Sequence, residues 1–572
     1  MAQQLWRADS QHPQDAGRRM TTPHLSKSLL NNYRQCPRRL WLEMQDRAAR
    51  KKGLAPVAQA VYSADTTKRF LDGHVIGRIA QACWSEGVDI EKASWITDED
   101  TGQRQRDLNY ATHLTYQWMQ DQRRPLFEAT FQHQNLLVMA DVMVPRRHGH
   151  RVYWQMIEVK SSTTPKDYHI TDLATQAWVA EQSGVDLDSV ALLLVNKGFE
   201  LHTAGDYTGL LGLHDDPDLQ AQVRQAQQQM PTTLRGAAQT LALRQEPRKH
   251  QPGDQCTSPF ECPYIGHCTE KTTGQTTGKT AKQTTPQPVP IRFYNDRGGA
   301  KAQTLIDAGH TDLRQVPPAT IARLWNGSTD THGVNQRLAQ AVRTGRVVMD
   351  RAGAQAALQT LSWPVQHLDF ETISFIAPVW PGTQSGQHIP FQYSLHRQAQ
   401  SGQVLGHAEF LDTTGQDPRR ALAEQLVKDI DPRCTVLAWN DSFERAVIRD
   451  LAEQFAELRK PLMRIHDQVQ DLLPIVRRHY FHPNMAQAEG STFSIKTVLP
   501  CMAAHLQYSQ LGTVQNGGEA QLAYLLAAAP PGAEKEPGQT ITPAERQQAR
   551  KDLLAYCGLD TEAMVEIVKS LK

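Results

Sequence analysis

The sequence predicts a multidomain α/β protein, and three observations carry that prediction. At 572 residues the chain is too long for one hydrophobic core, and its length suggests roughly three or four domains. Two stretches, Leu126 to Val195 and Trp363 to the end, mix short apolar runs of strand character with helical periodicity. Between them, the tract 270–290 is rich in Thr, Gln, Gly, Lys and Pro and almost devoid of apolar residues. Such a tract has nothing with which to bury a core and reads as a flexible linker.

Bulk properties narrow the class. Lys and Arg number 61 against 60 Asp and Glu, a net charge of +1, with 21% of residues charged. That balance fits a soluble globular chain and excludes a strongly basic coat for nucleic acid, so any such contact must come from local patches. No run of about 18 apolar residues suggests a membrane span. Residues 1–24 read as a disordered lead-in: Met1 to Arg19 is polar, lacks the apolar centre of a signal peptide, and leaves Met20 as an alternative start. Eight unevenly spread cysteines do not make a secreted disulfide framework; a reducing cytoplasm with a local metal site fits them better.

The first ordered segment is expected from Leu25 to Met44. Ser26 can cap a helix bearing Leu29, Leu30 and Tyr33 on one side, which Cys36-Pro37 then breaks. Phe70 to Ile79 is helix-like, with Gly73 and Gly77 on one side allowing close packing. Strands are predicted at Leu126–Phe131, Leu136–Val144 and Val152–Val159, with a turn at Arg146–His150, then a helix from Thr171 to Gln182 and a strand from Val190 to Val195. Acidic residues interrupt these strands at Glu128, Asp141 and Glu158, and Lys160 shares a face with Glu158. Carboxylates that hold a divalent ion, beside an ammonium that stabilises charge on a phosphate or orients water, are what metal-assisted phosphodiester hydrolysis requires.

Ala140-Asp141, Glu158-Val159-Lys160 and a following helix with Gln176 resemble the PD-(D/E)XK nuclease superfamily, and within it the RecB-like exonucleases. The resemblance implies that Asp141 and Glu158 bind metal, that Lys160 is catalytic, and that Gln176 is accessory. Many members place a histidine in a Gly-x-x-x-His pattern, where this chain has Gly73 to Gly77; His74 or Glu128 is the expected substitute. Cys256, Cys262 and Cys268 form Cys-x5-Cys-x5-Cys, and Cys36 upstream is the candidate fourth ligand. One early cysteine and three late ones resemble the iron-sulfur nucleases of the AddB and CRISPR-associated type, which implies a structural 4Fe-4S cluster; zinc is the alternative. Cys83, Cys434, Cys501 and Cys557 read as ordinary packed thiols.

Residues 291–362 are expected to be a helical connector in which Leu305 to Pro317 faintly resembles a helix-hairpin-helix. The next strand carries Leu368-Asp369-Phe370-Glu371-Thr372, and alternation sets Asp369 and Glu371 on one face. Two acids in a buried strand repel each other, and Mg2+ or Mn2+, which prefer oxygen ligands, relieve the repulsion. Cys434–Trp439 is a second strand leading into Asn440-Asp441-Ser442-Phe443-Glu444 and a helix. A final helix over Leu553–Ile567 sets Tyr556 and Asp560 four apart on one face.

Strand acids, an Asn-x-x-Phe-acid and a Tyr-x-x-x-Asp, in this order, resemble the DEDD 3'-5' exonuclease superfamily, tyrosine subclass, on an RNase H-like fold. By that resemblance Asp369, Glu371 and Asp560 hold one metal, Glu444 helps to place a second, and Tyr556 orients the attacking water. Asp441 is the alternative to Glu444, and Asp471, in the helical run Asp471-Leu472-Leu473, is a possible accessory acid. Gly490 to Lys496 and Val498-Leu499-Pro500 also resemble an uncharacterised bacterial family combining these two nuclease types. Ser491, Lys496, Arg477 and Arg478 are candidates to grip a nucleic-acid backbone, although a solvated basic face explains them equally well.

The expectation is therefore a PD-(D/E)XK restriction-endonuclease-like domain over 25–269 and an RNase H-like domain over 363–572, joined by the linker and the connector. Its expected function is a two-site, metal-dependent nuclease acting on DNA in repair or in defence against foreign DNA. An RNA 3'-5' exonuclease with an amino-terminal binding platform, and a catalytically dead scaffold, are the alternatives. Nucleic acid is the expected partner and membranes are not; the sequence names no protein partner.

Overall fold

The structure is a computed structural model that describes residues 25–97, 104–273, 288–294, 296, 299–326, 330–487, 491–530 and 541–572. The expected lead-in, and nearly all of the expected linker, lie outside the described residues. The fold is mixed α/β and multidomain, as the sequence predicts. The chain divides into two compact units. The first takes the described residues up to Thr273 with Ile376–Pro378, and the second takes the others.

The first unit is built on a mixed sheet. Its antiparallel centre is formed by β1 (Leu126–His133), β2 (Leu136–His148) and β3 (Arg151–Lys160), and β4 (Leu187–Val195) joins β3 in parallel. Arg146 to His148 do not form the expected turn: they pair with Tyr153 to Arg151, and the reversal is confined to Gly149-His150, where Gly149 has φ +63°. Glycine supplies that left-handed conformation without a Cβ clash.

Among the helices that precede these strands are α1 (Lys27–Gln35), α2 (Pro37–Lys51) and α3 (Ala64–Ala82). The Ser26 side chain accepts the Leu29 N–H to cap α1, and Pro37 starts α2 at a position that needs no N–H donor. Helix α4 (Asp167–Gln182) buries Leu173, Ala174, Ala177 and Ala180 in the same core as strand residues Phe131, Ala140 and Met156. Small residues on α4 let helix and sheet approach closely. The expected close packing at Gly73 and Gly77 does not occur: among the described residues, a Cβ added at either would meet nothing within 4 Å.

The second unit centres on a five-stranded sheet. β5 (Val365–Ser374), β6 (His388–Gln398) and β7 (Val404–Leu411) form an antiparallel meander, which β8 (Val436–Ala438) and β9 (Val469–Asp471) extend in parallel from β5. Residues 291–362 do not stand apart as a connector. Leu305, Leu338 and Leu358 pack in one core with Leu437, Val476 and Met564. The stretch resembling a helix-hairpin-helix contains two short helices, α5 (Ala300–Asp307) and α6 (Pro318–Leu324), with Gly309 at φ +88° between them.

Alternation along β5 decides what each face does. Leu368 and Phe370 enter a core with Leu422, Val447 and Ile448, each large side chain contributing about 1.5–3 kcal/mol by burial. Asp369 and Glu371 alternate with them and so emerge on the opposite face. Beyond α9 (Gly517–Ala528), the closing helix α10 (Pro543–Leu571) is longer than predicted, and a capping box between Thr542 and Glu545 secures its start. Buried polar contacts stitch it to β6: Gln392 Nε2 donates to the Leu553 carbonyl at 2.9 Å, and Thr561 Oγ1 lies 2.6 Å from Ser394 Oγ and 2.8 Å from His396 Nδ1. Since unpaired buried polar groups are costly, these contacts fix the register of α10 on the sheet.

Candidate metal centres

In the second unit, Asp369 and Glu371 from β5 meet Asp560 from α10, and one ligand atom from each lies within 4.8 Å of the others. Glu371 is 8% exposed and Asp560 6%. Burial and mutual repulsion raise the proton affinity of this group. The Asp369 carboxyl is pushed well above its ordinary range by burial, then by Asp560, Glu371 and Glu444. Burial and Asp560 push Glu371 up to about 8, and burial lifts Asp560 to about 6.

Glu444 occupies the first turn of α7 (Ser442–Gln454), is 3% exposed, and keeps one carboxylate oxygen, Oε2, without a hydrogen-bond partner among the described residues. Burial, with Asp441, Asp471 and Asp560 nearby, raises its carboxyl to about 8. Four clustered acids, one with an orphaned buried oxygen, suit a hard divalent cation such as Mg2+ or Mn2+, whose charge would offset both repulsion and desolvation. The residues present therefore fit the expected ion.

The alternatives to Glu444 are otherwise engaged. Asp441 pairs with Arg445 at 2.5 Å. Asp471 ends strand β9 and does not lie in a helical run. Its Oδ1 accepts the N–H groups of Asn440 and Leu473, both at 2.9 Å, and so shapes the turn before Glu444, where Asn440 has φ +64°.

Tyr556 is 5% exposed on α10 and contributes to holding Asp560 ionised. Sequence reasoning missed its companion Tyr508, whose hydroxyl donates to Asp560 Oδ1. Tyr508 follows no spacing that links it to the other residues, because it comes from a 3-10 turn far from α10 in sequence. Burial and the carboxylates push both phenols up, so both keep their protons at neutral pH.

Lys496 is not merely a surface cation. It lies on α8 (Ile495–Met502), its Nζ is 4.9 Å from the Tyr556 ring centroid and 5.1 Å from that of Tyr508, and it donates to the Gln515 carbonyl at 2.6 Å. Cys557, expected to be an ordinary packed thiol, is buried with Sγ 3.9 Å from Asp369 Oδ2. Cys83, by contrast, is exposed. Arg477 lies over the Tyr294 ring at 4.7 Å and donates to its hydroxyl. Arg478 and Ser491 are exposed.

The first unit holds a second acidic cleft of about 410 Å³, lined by Asp141, Glu158, Glu128, Lys160, His74 and Lys27 among others. Gly73 and Gly77 border it, which is why nothing packs on them. Glu158 is 1% exposed; Lys27 and Lys160 both reach its Oε1 at 2.8 Å, while its Oε2 has no partner among the described residues. Burial alone would raise the Glu158 carboxyl, but Lys160 and Lys27 pull it down to about 2. Asp141 Oδ2 accepts the Val159 N–H at 2.7 Å, yet burial and Glu158 lift its carboxyl to about 7.

Glu128 adopts φ +54° on β1 and is raised to about 8 by burial, Asp141 and Glu91. Gln176 is buried and donates to the Met139 carbonyl at 3.0 Å, bracing the sheet. Two participants were not foreseen: Lys27, delivered by the start of α1, and Asp172 on α4, which takes Lys160 Nζ at 2.6 Å. The orphaned oxygen of Glu158 beside Asp141 again fits a divalent cation.

Cys36 ends α1, and Cys256, Cys262 and Cys268 follow far downstream, the last three buried with Trp41, Leu42 and Tyr264. Burial raises Cys268 to about 11, and the charges of Cys262 and Cys36 act on it. Cys262 N–H donates to the Cys256 carbonyl at 2.7 Å, and Gln35 Nε2 donates to the carbonyls of Gln255 and Phe260 at 2.8 and 2.6 Å. The four thiols thus share one neighbourhood, a donor set suited to a soft metal or cluster.

Fold and sites define a multidomain α/β chain with two buried carboxylate clusters. Residues 366–491 match a family described as "Domain of unknown function (DUF2779)", a segment that begins in β5, runs past β9 and the helix Leu473–His479, and includes Asp369, Glu371 and Glu444 but not Tyr556 or Asp560. No curated protein matches the chain. Among the described residues, no helix is long and apolar enough to cross a membrane.

Proposed function

We propose that this chain is a metal-dependent nuclease with two active sites, acting on DNA. The observation that carries the reading is the convergence of Asp369, Glu371 and Asp560, from a strand and a helix almost two hundred residues apart in sequence, with ligand atoms within 4.8 Å. Asp369, Glu371, Asp560 and Glu444 would hold Mg2+ or Mn2+, and the bound ions would stabilise the attacking and leaving oxygens of a phosphodiester. Tyr556 keeps its proton and can orient a water by hydrogen bonding. Tyr508 helps to keep Asp560 ionised. A meander continued by two parallel strands supports an RNase H-like reading of the second unit.

In the first unit Asp141 and Glu158 would hold the metal, and Lys160, anchored by Asp172, presents an ammonium to a phosphate at the cleft. The order Asp141, Glu158, Lys160 on adjacent strands supports the PD-(D/E)XK reading. Cys36, Cys256, Cys262 and Cys268 would hold a 4Fe-4S cluster, with Zn2+ the alternative, as a staple between the unit's two ends. Exonucleolytic action in DNA repair or antiviral defence, in the cytoplasm, is the setting we assign.

A labelled single strand incubated with Mn2+ tests the reading. Degradation lost in Asp369→Ala but not in Lys160→Ala assigns the second unit, the reverse pattern assigns the first, and loss of part of the activity in each supports two sites. Faster degradation of RNA than of DNA would move the assignment to an RNA exonuclease. No degradation by the wild-type chain would leave a scaffold.

A further inference from the structure

A groove of about 900 Å³ in the first unit belongs to neither carboxylate cluster. Helices α1 and α2, the start of α4 and the cysteine loop form its walls. Tyr62, Phe70, Tyr168 and Phe260 line it, and five Lys or Arg side chains face it against three carboxylates. Phe70 is 54% and Tyr62 45% exposed, an unusual amount of aromatic surface to leave in water.

The rings are arranged in pairs, Tyr168 with Phe260 at 4.8 Å between centroids and Tyr62 with Phe70 at 5.8 Å. Cations stand close to them: Lys166 Nζ is 5.8 Å from the Tyr168 ring, and Arg69 lies 5.1 Å from that of Phe260. Arg39, which also lines the groove, keeps a buried Nε without a hydrogen-bond partner among the described residues. Gln35 holds the Phe260 carbonyl, so this wall is tied to α1. Lys160 lines both the groove and the acidic cleft.

The geometry points to a binding site for an unpaired nucleic-acid strand, which the groove leads toward Lys160. Aromatic faces accept bases by stacking whatever their identity, while neighbouring cations follow the phosphates. In a duplex the base faces are already stacked on one another, so these walls discriminate against paired substrate. Lys160 and Arg47 already pair with carboxylates, but a purely apolar partner would still leave the Arg39 Nε–H unsatisfied. The direction toward Lys160 rests on the nuclease reading of the first unit; the binding of a single strand does not.

Fluorescence anisotropy on the full chain, without added divalent cation, measures binding apart from cleavage. The probes are labelled oligothymidylate, oligouridylate and a DNA duplex. In Phe70→Ala/Tyr168→Ala, affinity for the single strands is expected to fall by about tenfold or more, with duplex affinity unchanged. Loss for one of the two polymers alone assigns the sugar that the groove prefers. Phe70→Leu/Tyr168→Leu keeps apolar volume and removes the flat faces, so the same loss in this folded variant supports stacking. Unchanged single-strand binding, or an equal loss for duplex, overturns the proposal. If the aromatic pair governs binding while Lys160→Ala and wild type are equally inactive with Mn2+, the groove stands and the nuclease reading of that unit falls.

Discussion

Lys27 Nζ lies 2.8 Å from Glu158 Oε1, although 131 residues separate the two in sequence. Lys160 reaches the same oxygen at the same distance, so one buried carboxylate is shared by two ammonium groups. Removing either lysine uncovers charge that the protein interior solvates poorly.

We therefore expect Lys27→Met to destabilise the first unit by about 1–3 kcal/mol, the range for a buried charge that loses one of its partners. Lys27→Arg should recover part of the loss. In a double-mutant cycle with Glu158→Gln, the combined cost should be smaller than the sum of the single costs. Chemical denaturation of the four proteins checks it, and additive costs would refute the coupling.

The carboxylate cluster of the second unit yields an effect of opposite sign. Without a cation, Asp369, Glu371 and Asp560 repel one another. Asp369→Asn should leave the metal-free protein as stable as wild type or more so, while abolishing the rise in melting temperature that Mn2+ gives the wild-type chain. A thermal shift series with and without Mn2+ reads both effects. A mutant that melts lower in both conditions would mean that the carboxylate is structural.

The same shifts set a pH dependence. Glu371 and Glu444 are raised to about 8 and Asp560 to about 6, all above the unfolded carboxylate range of about 4. The folded state holds protons that the unfolded chain releases. Their contribution to stability is complete below about pH 4 and is lost as pH rises through 6 to 8. A cation competes with those protons, so stabilisation by Mn2+ should be slight near pH 5 and should grow to a maximum by about pH 8. A cation effect independent of pH across that range would contradict ligation by these acids.

The two tyrosines should separate by substitution. Tyr508→Phe removes the hydroxyl that Asp560 accepts from, which raises the Asp560 proton affinity and should weaken Mn2+ stabilisation about tenfold in concentration. Tyr556→Phe removes a smaller contribution to keeping Asp560 ionised, so it should weaken Mn2+ stabilisation less and, on the proposed reading, lower the cleavage rate at saturating Mn2+ by about 100-fold, the scale of a lost proton-handling group. Thermal titrations and single-turnover cleavage distinguish the pair.

Alternation in β5, the four-residue spacing of Tyr556 and Asp560, and the apolar runs of β1 to β4 were legible in the sequence, because strand and helix periodicities are local. So was the break at Cys36-Pro37. The sequence alone thus determined a mixed α/β chain with acids on defined faces. Only the tertiary structure decided which faces meet. Tyr508, Lys496, Lys27 and Asp172 join their clusters through packing of distant elements, and the register of α10 depends on buried contacts from Gln392, Ser394 and His396. Those partners carry no mark in local spacing, since the cost of an unpaired buried polar group appears only once the chain has folded around it.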